Sequence, residues 1–200
     1  MKKFILSAAI ALASVSLTHI NAQVSTSIGV KLDGNLTNVK MSSAKNSSSF
    51  KPGASLGGFV KIDLTENFAL QPELSFSYTE SKIKTGEDKI KYKYASVEVP
   101  VYALGQFAYG SGKFFIGAGP HIGYGFSVDS RTEKLPEGHP GENKTELDHW
   151  YMGGGILAGY EFANKISIRG GCQMGFDLSS SSKSGSIKTQ TFSLGLGYRF

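Results

Sequence analysis

Apolar and polar residues alternate one by one along eight segments of this chain, and this alternation constrains the fold more than any other feature. A period of two residues places successive side chains on opposite faces of a β-strand. Phe59, Tyr151 and Leu157 interrupt the polar faces of the weaker segments. The pattern predicts an all-β protein with strands at about residues 25–35, 53–64, 68–78, 93–106, 114–128, 150–162, 166–178 and 191–200.

The connections between these segments are alternately long and short. The long ones are rich in Ser, Lys, Asn, Glu and Gly, and they cover about 36–52, 80–91, 129–149 and 179–187. The short ones cover about 65–67, 107–113 and 163–165. Barrels of bacterial outer membranes have short periplasmic turns and longer extracellular loops. The chain is therefore predicted to be an eight-stranded antiparallel up-and-down transmembrane β-barrel.

The composition of the two faces indicates which one meets lipid. The polar face is dominated by Gly and Ser with isolated charges, and Gly accounts for 25 of 200 residues. Such a face suits the cramped interior of an eight-stranded barrel, whereas a soluble barrel would turn its apolar face inward. Aromatic residues favour the two membrane interfaces, and they form two groups here. One group lies near the short connections and the C-terminus: Phe68, Phe107, Tyr109, Phe114, Tyr160, Phe162, Tyr198 and Phe200. The other lies toward the long connections: Phe76, Tyr78, Tyr92, Tyr94, Phe126, Trp150 and Phe176.

The first 22 residues have the features of a secretory signal peptide. Lys2 and Lys3 form a positive start, an apolar stretch follows over residues 4–17, and Ala22 provides a small residue at the expected cleavage site. This order is typical of signal peptides. We therefore expect a cleaved segment over residues 1–22 and one barrel domain over 23–200, located in the bacterial outer membrane.

Charge and cysteine content exclude several classes of function. Without Lys2 and Lys3 the chain has 19 basic and 16 acidic residues, and these are interspersed. A nucleic-acid-binding protein would gather its cations on one face. Cys172 is the only cysteine, which excludes an internal disulfide and a cysteine-based metal site. We expect no nucleic-acid partner.

The remaining motifs do not indicate a cofactor, a metal or an enzyme. Glycine-rich stretches at 117–119 and 153–155 lie inside predicted strands, so they cannot open a helix as a phosphate-binding loop does. The acidic and histidine residues of 139–149 match no metal-ligand spacing and fit a solvated loop. Lipid A-modifying barrels have a similar size, but no mature His here is followed by Ser two residues later, as a deacylase of that type requires. Catalysis is therefore not expected.

Charged residues on the polar face raise a choice between a pore and a closed lumen. Such residues could line a channel, or they could pair across the interior. An eight-stranded barrel has room for side chains but hardly for a channel, and an unpaired charge there is costly. We therefore expect a closed network in which Glu98 has a basic partner. Its members are Lys61, Glu73, Glu98, Arg169 and Arg199.

The last strand resembles the assembly signal of outer-membrane barrels. Its residues Ser193, Gly195, Tyr198 and Phe200 match a polar residue, a glycine and a terminal apolar face. This resemblance implies recognition by the barrel assembly machinery.

Two internal strands are similar to those of the PorT-like outer-membrane barrels. Residues 95–102, Ala-Ser-Val-Glu-Val-Pro-Val-Tyr, resemble one strand of that family, and 115–124, Phe-Ile-Gly-Ala-Gly-Pro-His-Ile-Gly-Tyr, resemble the strand that follows it. Residues 195–200 match the usual ending. The resemblance implies a barrel over nearly all of 23–200. A role in protein secretion, known for the founding member, does not transfer with the fold.

Three functions are compatible with these observations. The first is a structural or interaction barrel whose loops at 36–52 and 129–149 contact a surface protein, an envelope protein or lipopolysaccharide. The second is an accessory component of envelope transport or protein secretion. The third is a lipid A-modifying enzyme. The absence of a catalytic motif favours the first.

Overall fold

The computed structural model describes residues 24–41, 50–85, 88–133, 149–177 and 187–200. Within these ranges, no helix is long and apolar enough to cross a membrane. The described residues form eight strands: β1 Ser25–Met41, β2 Lys51–Asp63, β3 Phe68–Thr85, β4 Asp88–Tyr109, β5 Gly112–Glu133, β6 His149–Glu161, β7 Ile166–Asp177 and β8 Ile187–Arg199.

The eight strands form a closed antiparallel barrel in which each strand pairs with its neighbours in the chain. β8 closes the barrel against β1, where Leu32 lies opposite Leu196, and the backbone N–H of Phe200 donates to the carbonyl of Ile28 at 2.8 Å. Closure leaves no unpaired sheet edge, and a barrel in a membrane requires this because lipid cannot satisfy free backbone N–H and C=O groups. The predicted fold is confirmed.

The barrel is polar inside and apolar outside. Among the described residues, 16 buried side chains are polar or charged and 8 are hydrophobic, while 29 large hydrophobic residues are exposed. On β8, for example, Leu194 is 68% exposed. Exposed apolar surface on this scale marks a contact with lipid in a chain whose interior is polar. The predicted parity of the strands is therefore the observed one.

The residues that interrupt the polar faces fill the interior opposite glycines. The ring of Phe59 occupies the space where a Cβ at Gly29 would lie, and the ring of Tyr151 does the same at Gly123. A large inward side chain thus requires a glycine at the facing position of the neighbouring strand. The prediction that Tyr94 belongs to the outer aromatic group is wrong, because it lines an interior cavity with the inward parity of β4.

Short connections join the strands at the end that carries both barrel termini. They are residues 64–67, 110–111 and 162–165. Gly110 has φ of 61°, a left-handed conformation that a glycine adopts without a steric penalty, and this allows a two-residue turn. The connection predicted at 107–113 is consequently too long, since Tyr109 already pairs with Gly112.

At the other end, strands continue far into the connections predicted as loops. β3 and β4 pair as far as Thr85 and Asp88, so the predicted loop at 80–91 is almost entirely a hairpin. β1 likewise continues to Met41, and β5 to Glu133. Beyond the bilayer both faces of a strand are wet, so the apolar alternation stops although the backbone hydrogen bonds continue.

The extension is concentrated on one side of the barrel. β3, β4 and β5 contain 18, 22 and 22 residues, against 12 in β7, and about 9–11 residues suffice to cross the membrane. Tyr78, Ala95 and Phe126 form one cross-strand row at the upper aromatic group. We call the strand segments beyond this row, residues 79–85, 88–94 and 127–133, the β3–β5 projection; each measures roughly 23 Å along the strand.

Several predictions concern residues outside the described ranges. The signal peptide at 1–22 is one of them, and it stays a prediction. The parts of the predicted loops at 42–49, 134–148 and 178–186 also lie outside, and so does most of the acidic and histidine group at 139–149.

Candidate functional site in the barrel interior

A buried cluster of four charged side chains crosses the middle of the lumen. Glu73 on β3 accepts from Lys31 Nζ at 2.6 Å and from Arg169 Nη2 at 2.7 and 2.9 Å. Gln71 Nε2 adds a fourth hydrogen bond at 2.8 Å. Asp33 lies 3.4 Å from Lys31 Nζ and 3.5 Å from Arg169 Nε. The cluster therefore links β1, β3 and β7 across the interior.

The charges of this central cluster balance. It holds two carboxylates and two cations, and the Glu73 side chain has no exposed surface. A buried carboxylate is tolerated only when it is paired and hydrogen-bonded. Arg169 provides both, because its Nη2 contacts the two carboxylate oxygens of Glu73.

A second ionic group lies at the end with the short turns. Glu161, the last residue of β6, accepts from Arg199 Nη2 at 2.6 Å and Nε at 3.1 Å, and from Lys61 Nζ at 3.3 Å. Lys61 is buried, whereas the Arg199 side chain is 27% exposed. This group is therefore closer to water than the central cluster.

An apolar cluster shares the lumen with the two ionic groups. Its members pack as one buried cluster: Ala69, Tyr102, Leu104, Phe115 and Leu157. Along β3, Ala69 lies closer to the short turns than Glu73 does. Along β6, Leu157 lies closer to the long connections than Glu161 does. Charged and apolar side chains thus both fill the lumen.

Glu98 does not have the basic partner that was expected. It accepts from the hydroxyl of Tyr151 at 2.6 Å and from that of Ser96 at 3.4 Å. No described basic side chain lies within salt-bridge distance of it, and its donors are these two hydroxyl groups. Glu98 borders a cavity that opens toward the long connections, where water can solvate the carboxylate.

This cavity lies above the central cluster and measures about 50 Å³. A space of this size holds only a few water molecules. Its lining is rich in hydroxyl groups, which come from every strand except β5 and β7: Thr37, Ser55, Ser75, Ser77, Thr79, Tyr94, Ser96, Tyr102, Tyr151, Thr189, Thr191 and Ser193. Lys31, Asp33 and Arg169 also border it, so the central cluster forms its floor.

The five residues of the expected network are therefore all on the inward parity but fall into three groups. Glu73 pairs directly with Arg169, and Lys61 and Arg199 share Glu161. Lys31, Asp33 and Glu161 also belong to these groups and were not predicted as members of the network. The alternation pattern could have identified all three, because each has the inward parity of its strand.

The four residues of the expected assembly signal divide between the two faces of β8. Ser193 borders the cavity, and Gly195 lies where a Cβ would overlap the backbone of Leu32 and the side chain of Asp33. Tyr198 and Phe200 are 43% and 58% exposed, with ring centroids 5.3 Å apart at 89°. The outer half of this set thus forms an exposed aromatic pair next to the chain end.

Comparisons with known proteins agree with this architecture. The family model described as the outer membrane protein beta-barrel domain matches residues 8–200. No curated protein matches the chain significantly.

Solved structures of outer-membrane barrels resemble the chain at low sequence identity. Neisserial surface protein A has a TM-score of 0.55 and 13% identity, with 88% of this chain and 99% of that one covered. Ail of Yersinia pestis, in complex with the heparin analogue sucrose octasulfate, has a TM-score of 0.46 and 17% identity over 90% and 100%. The outer membrane enzyme PagL has a TM-score of 0.49 and 17% identity over 83% and 98%. Identities this low show a shared fold alone.

Proposed function

Because this chain belongs to the outer membrane protein beta-barrel domain family and lies in the bacterial outer membrane, we propose that it is a closed structural barrel whose extracellular rim binds a surface partner, without catalysis. The side that carries the short turns and the termini faces the periplasm. The long connections and the β3–β5 projection then face the exterior.

The packing of the lumen supports the closed barrel. The central cluster, the apolar cluster and the Glu161 group fill the lumen between the cavity and the periplasmic end. Opening a path would require the separation of Glu73 from Arg169, which form a buried ion pair. Such a separation is unfavourable by several kcal/mol, on the order of the 3–5 kcal/mol found when a buried pair is broken.

The β3–β5 projection is the observation that carries the interaction role. A barrel that served only to fill the membrane would need no strands of 22 residues, yet β4 and β5 both have this length. The three paired strand segments present a hydrogen-bonded surface outside the bilayer. A rigid scaffold is a better binding surface than a free loop, because less conformational entropy is lost on binding.

A bilayer experiment with a matched pair of variants tests this proposal. Residues 80–93 are replaced by Asn-Gly, because Thr79 and Tyr94 pair directly and a two-residue turn can join them. The control replaces Gly110-Ser111 by Asn-Gly at the periplasmic end. Both barrels, like the parent, should be folded and electrically silent in planar bilayers.

A photo-crosslinker separates the interaction role from the alternatives. Placed at Thr85 in native outer membranes, it should give an adduct of defined mass that is missing when the same probe is placed at Lys113. A steady conductance of the parent barrel would instead support the transport or secretion role that the PorT-like resemblance suggests. Turnover of lipid A by the purified barrel would support the enzyme and overturn the proposal.

The exposed end of β8 supports recognition by the barrel assembly machinery. Tyr198 and Phe200 present an aromatic pair on the outer face of the strand that closes the barrel last. Deletion of Phe200 should lower the amount of heat-modifiable, folded barrel in cells far more than it lowers stability in vitro. Equal losses in the two measurements would show that Phe200 contributes only packing, roughly 1.5–3 kcal/mol.

A further inference from the structure

The carboxylate of Glu98 has one oxygen atom that no described residue hydrogen-bonds. Both hydroxyl groups that donate to Glu98, those of Tyr151 and Ser96, bond to Oε1. Among the described residues, Oε2 has no donor. A carboxylate that is withdrawn from bulk water needs donors for both of its oxygens. Glu98 lines the cavity above the central cluster, so it offers this cavity a charged acceptor.

Two further buried atoms that line the same cavity lack partners. Ser75 and His121 are only 4% and 5% exposed. Neither Ser75 Oγ nor His121 Nδ1 has a hydrogen-bond partner within the part of the chain that the structure describes. Buried polar atoms are nearly always hydrogen-bonded, so an exception requires an explanation. These two atoms indicate a ligand in the cavity independently of the charge on Glu98.

The strand register brings these three residues together. Ser75 lies directly opposite Glu98 in the β3–β4 pair, and Glu98 lies opposite Gly123, two residues from His121, in the β4–β5 pair. Cβ atoms of directly opposite residues are about 5 Å apart, and those of diagonal neighbours are about 7–8 Å apart. Tyr151 joins the group, because its hydroxyl donates to Glu98 at 2.6 Å and its ring centroid lies 6.1 Å from that of His121. We call Ser75, Glu98 and His121 the lumen acceptor site.

Glycines on the neighbouring strands provide the space for this site. A Cβ at Gly123 would lie 2.4 Å from Cζ of Tyr151, and a Cβ at Gly153 would lie 2.8 Å from Cε1 of His121. Side chains at these two positions would therefore displace the rings that surround Glu98. The arrangement of the site is thus set by the packing of β4, β5 and β6.

The charge around the cavity selects a cation as the ligand. The two cations of the central cluster are balanced by its two carboxylates. Glu98 adds a negative charge that no described cation offsets, so an anion would be repelled. Within the described residues there is no group of three His, Cys, Asp or Glu side chains that could hold a metal ion. A cation that binds through hydrogen bonds fits these residues better than one that needs a set of metal ligands.

We propose that the lumen acceptor site binds a primary ammonium group. Such a group carries one positive charge and three N–H donors. The charge matches that of Glu98, and the donors match three acceptors: Oε2 of Glu98, Oγ of Ser75 and Nδ1 of a neutral His121. A cavity of about 50 Å³ admits a group as large as a few water molecules, such as an ammonium with its attached methyl group. The inference rests on the proposed function in one respect, since the cavity opens toward the side that is assigned there to the exterior.

Binding of isotope-labelled methylammonium to the purified, folded barrel in nonionic detergent tests the proposal. NMR saturation transfer should show saturable binding. Tetramethylammonium has the same charge and no N–H donor, so it should bind at least about tenfold more weakly.

Two matched pairs of variants locate the binding site. Glu98→Gln removes the charge and keeps an acceptor for Tyr151, and it should lower the affinity for methylammonium about 10- to 100-fold, as the loss of a hydrogen bond to a charged group does. Glu66→Gln, the same charge change in an exposed periplasmic turn, should leave the affinity unchanged. Ser75→Ala should lower it about three- to tenfold. Ser111→Ala, in another exposed turn, should have no effect.

Acetyl-lysine methylamide distinguishes two sources of the ammonium group. If it binds as tightly as methylammonium, a lysine side chain of the surface partner can supply the group. If methylammonium binds and the lysine derivative does not, the ligand is a small free amine. Both results support a primary ammonium site, and they assign its ligand.

Three outcomes would overturn the proposal. They are the absence of saturable methylammonium binding, equal affinity for tetramethylammonium, and equal losses in Glu98→Gln and Glu66→Gln. If Glu98→Gln failed to become heat-modifiable, the comparison of Ser75→Ala with Ser111→Ala would decide in its place. None of these results depends on the conductance or cross-linking measurements, so the closed-barrel proposal and this one can fail separately.

Discussion

Charged residues have opposite kinds of neighbours in the two halves of β3. Glu73, within the barrel, pairs with Lys31 and Arg169, and Asp33 completes a cluster whose charges balance. Lys82 and Lys84, in the β3–β5 projection, lie opposite other lysines. The difference follows from water: burial makes an unpaired charge too costly to retain, whereas solvent screens like charges outside the membrane. Charges within the lumen are therefore compatible with a structural role.

The largest expected effect comes from the central cluster. Glu73→Ala leaves Lys31 and Arg169 with only Asp33 as a counter-charge, and it should lower the free energy of unfolding by about 3–5 kcal/mol. Urea unfolding of the barrel in lipid vesicles measures this. Glu66→Ala, in an exposed periplasmic turn, is the control and should have almost no effect. A loss below about 1 kcal/mol for Glu73→Ala would mean that the lumen charges are hydrated and that the comparison is wrong.

The Glu161 group should be less sensitive. Glu161→Ala removes the shared acceptor of Lys61 and Arg199, but Arg199 is 27% exposed and water can replace part of the contact. We expect a loss of about 1–3 kcal/mol, between the values for a surface pair and a buried one. Added salt should reduce this loss and leave that of Glu73→Ala nearly unchanged. The reverse order of the two salt effects would contradict the burial gradient along the lumen.

Glu98 offers a smaller effect within the same interior. Tyr151→Phe removes its shortest hydrogen bond and keeps the ring that fills the space at Gly123, so we expect a loss of about 1.5–3 kcal/mol at most. Glu98→Gln keeps an acceptor for Tyr151 and leaves no cation unpaired. It should therefore change stability by less than about 1 kcal/mol. A loss for Glu98→Gln as large as that of Glu73→Ala would reveal a basic partner.

Substitutions in the β3–β5 projection should raise the free energy of unfolding, and this effect should be the smallest of the four. Lys82→Gln/Lys91→Gln removes two like-charge pairs of the strand register, Lys82 with Lys91 and Lys91 with Arg131. In lipid without phosphate headgroups it should therefore raise the free energy of unfolding by about 0.2–1 kcal/mol per pair at low salt. Lys113→Gln/Lys165→Gln provides the baseline in the same unfolding assay. Destabilisation of the double variant beyond that baseline would show that these lysines hold the sheet together.

Much of the barrel could be derived from individual strands. Because the side-chain period of a strand is two, Phe76 and Glu73 must lie on opposite faces of β3, and Leu194 and Gly195 on opposite faces of β8. The apolar member of each pair is the one that faces lipid. Even the exceptions were informative: Phe59, Tyr151 and Leu157 have inward parity, and each is buried. Strand parity also identified all five charged residues expected in the lumen.

The pairing of these charges could not be derived in the same way. Glu73 and Arg169 are 96 residues apart, and Lys61 and Glu161 are 100 apart. Which inward residues meet depends on the stagger between strands, a property of the closed barrel and not of any one strand. For the same reason the sequence suggested a basic partner for Glu98, where the structure has Tyr151.

The alternation of apolar and polar residues was enough to derive an inside-out barrel, because alternation is a local property that each strand carries independently. Two further features depend on the assembled barrel. Closure brought the lumen charges together, and a β-bulge at Val128 placed Arg131 beside Lys91. The residues of 80–91 have the composition of a loop, yet they form a hairpin because neighbouring strands extend the backbone hydrogen bonds outward. A hydrogen-bonded ladder needs a partner strand and no apolar face, so composition could not reveal it.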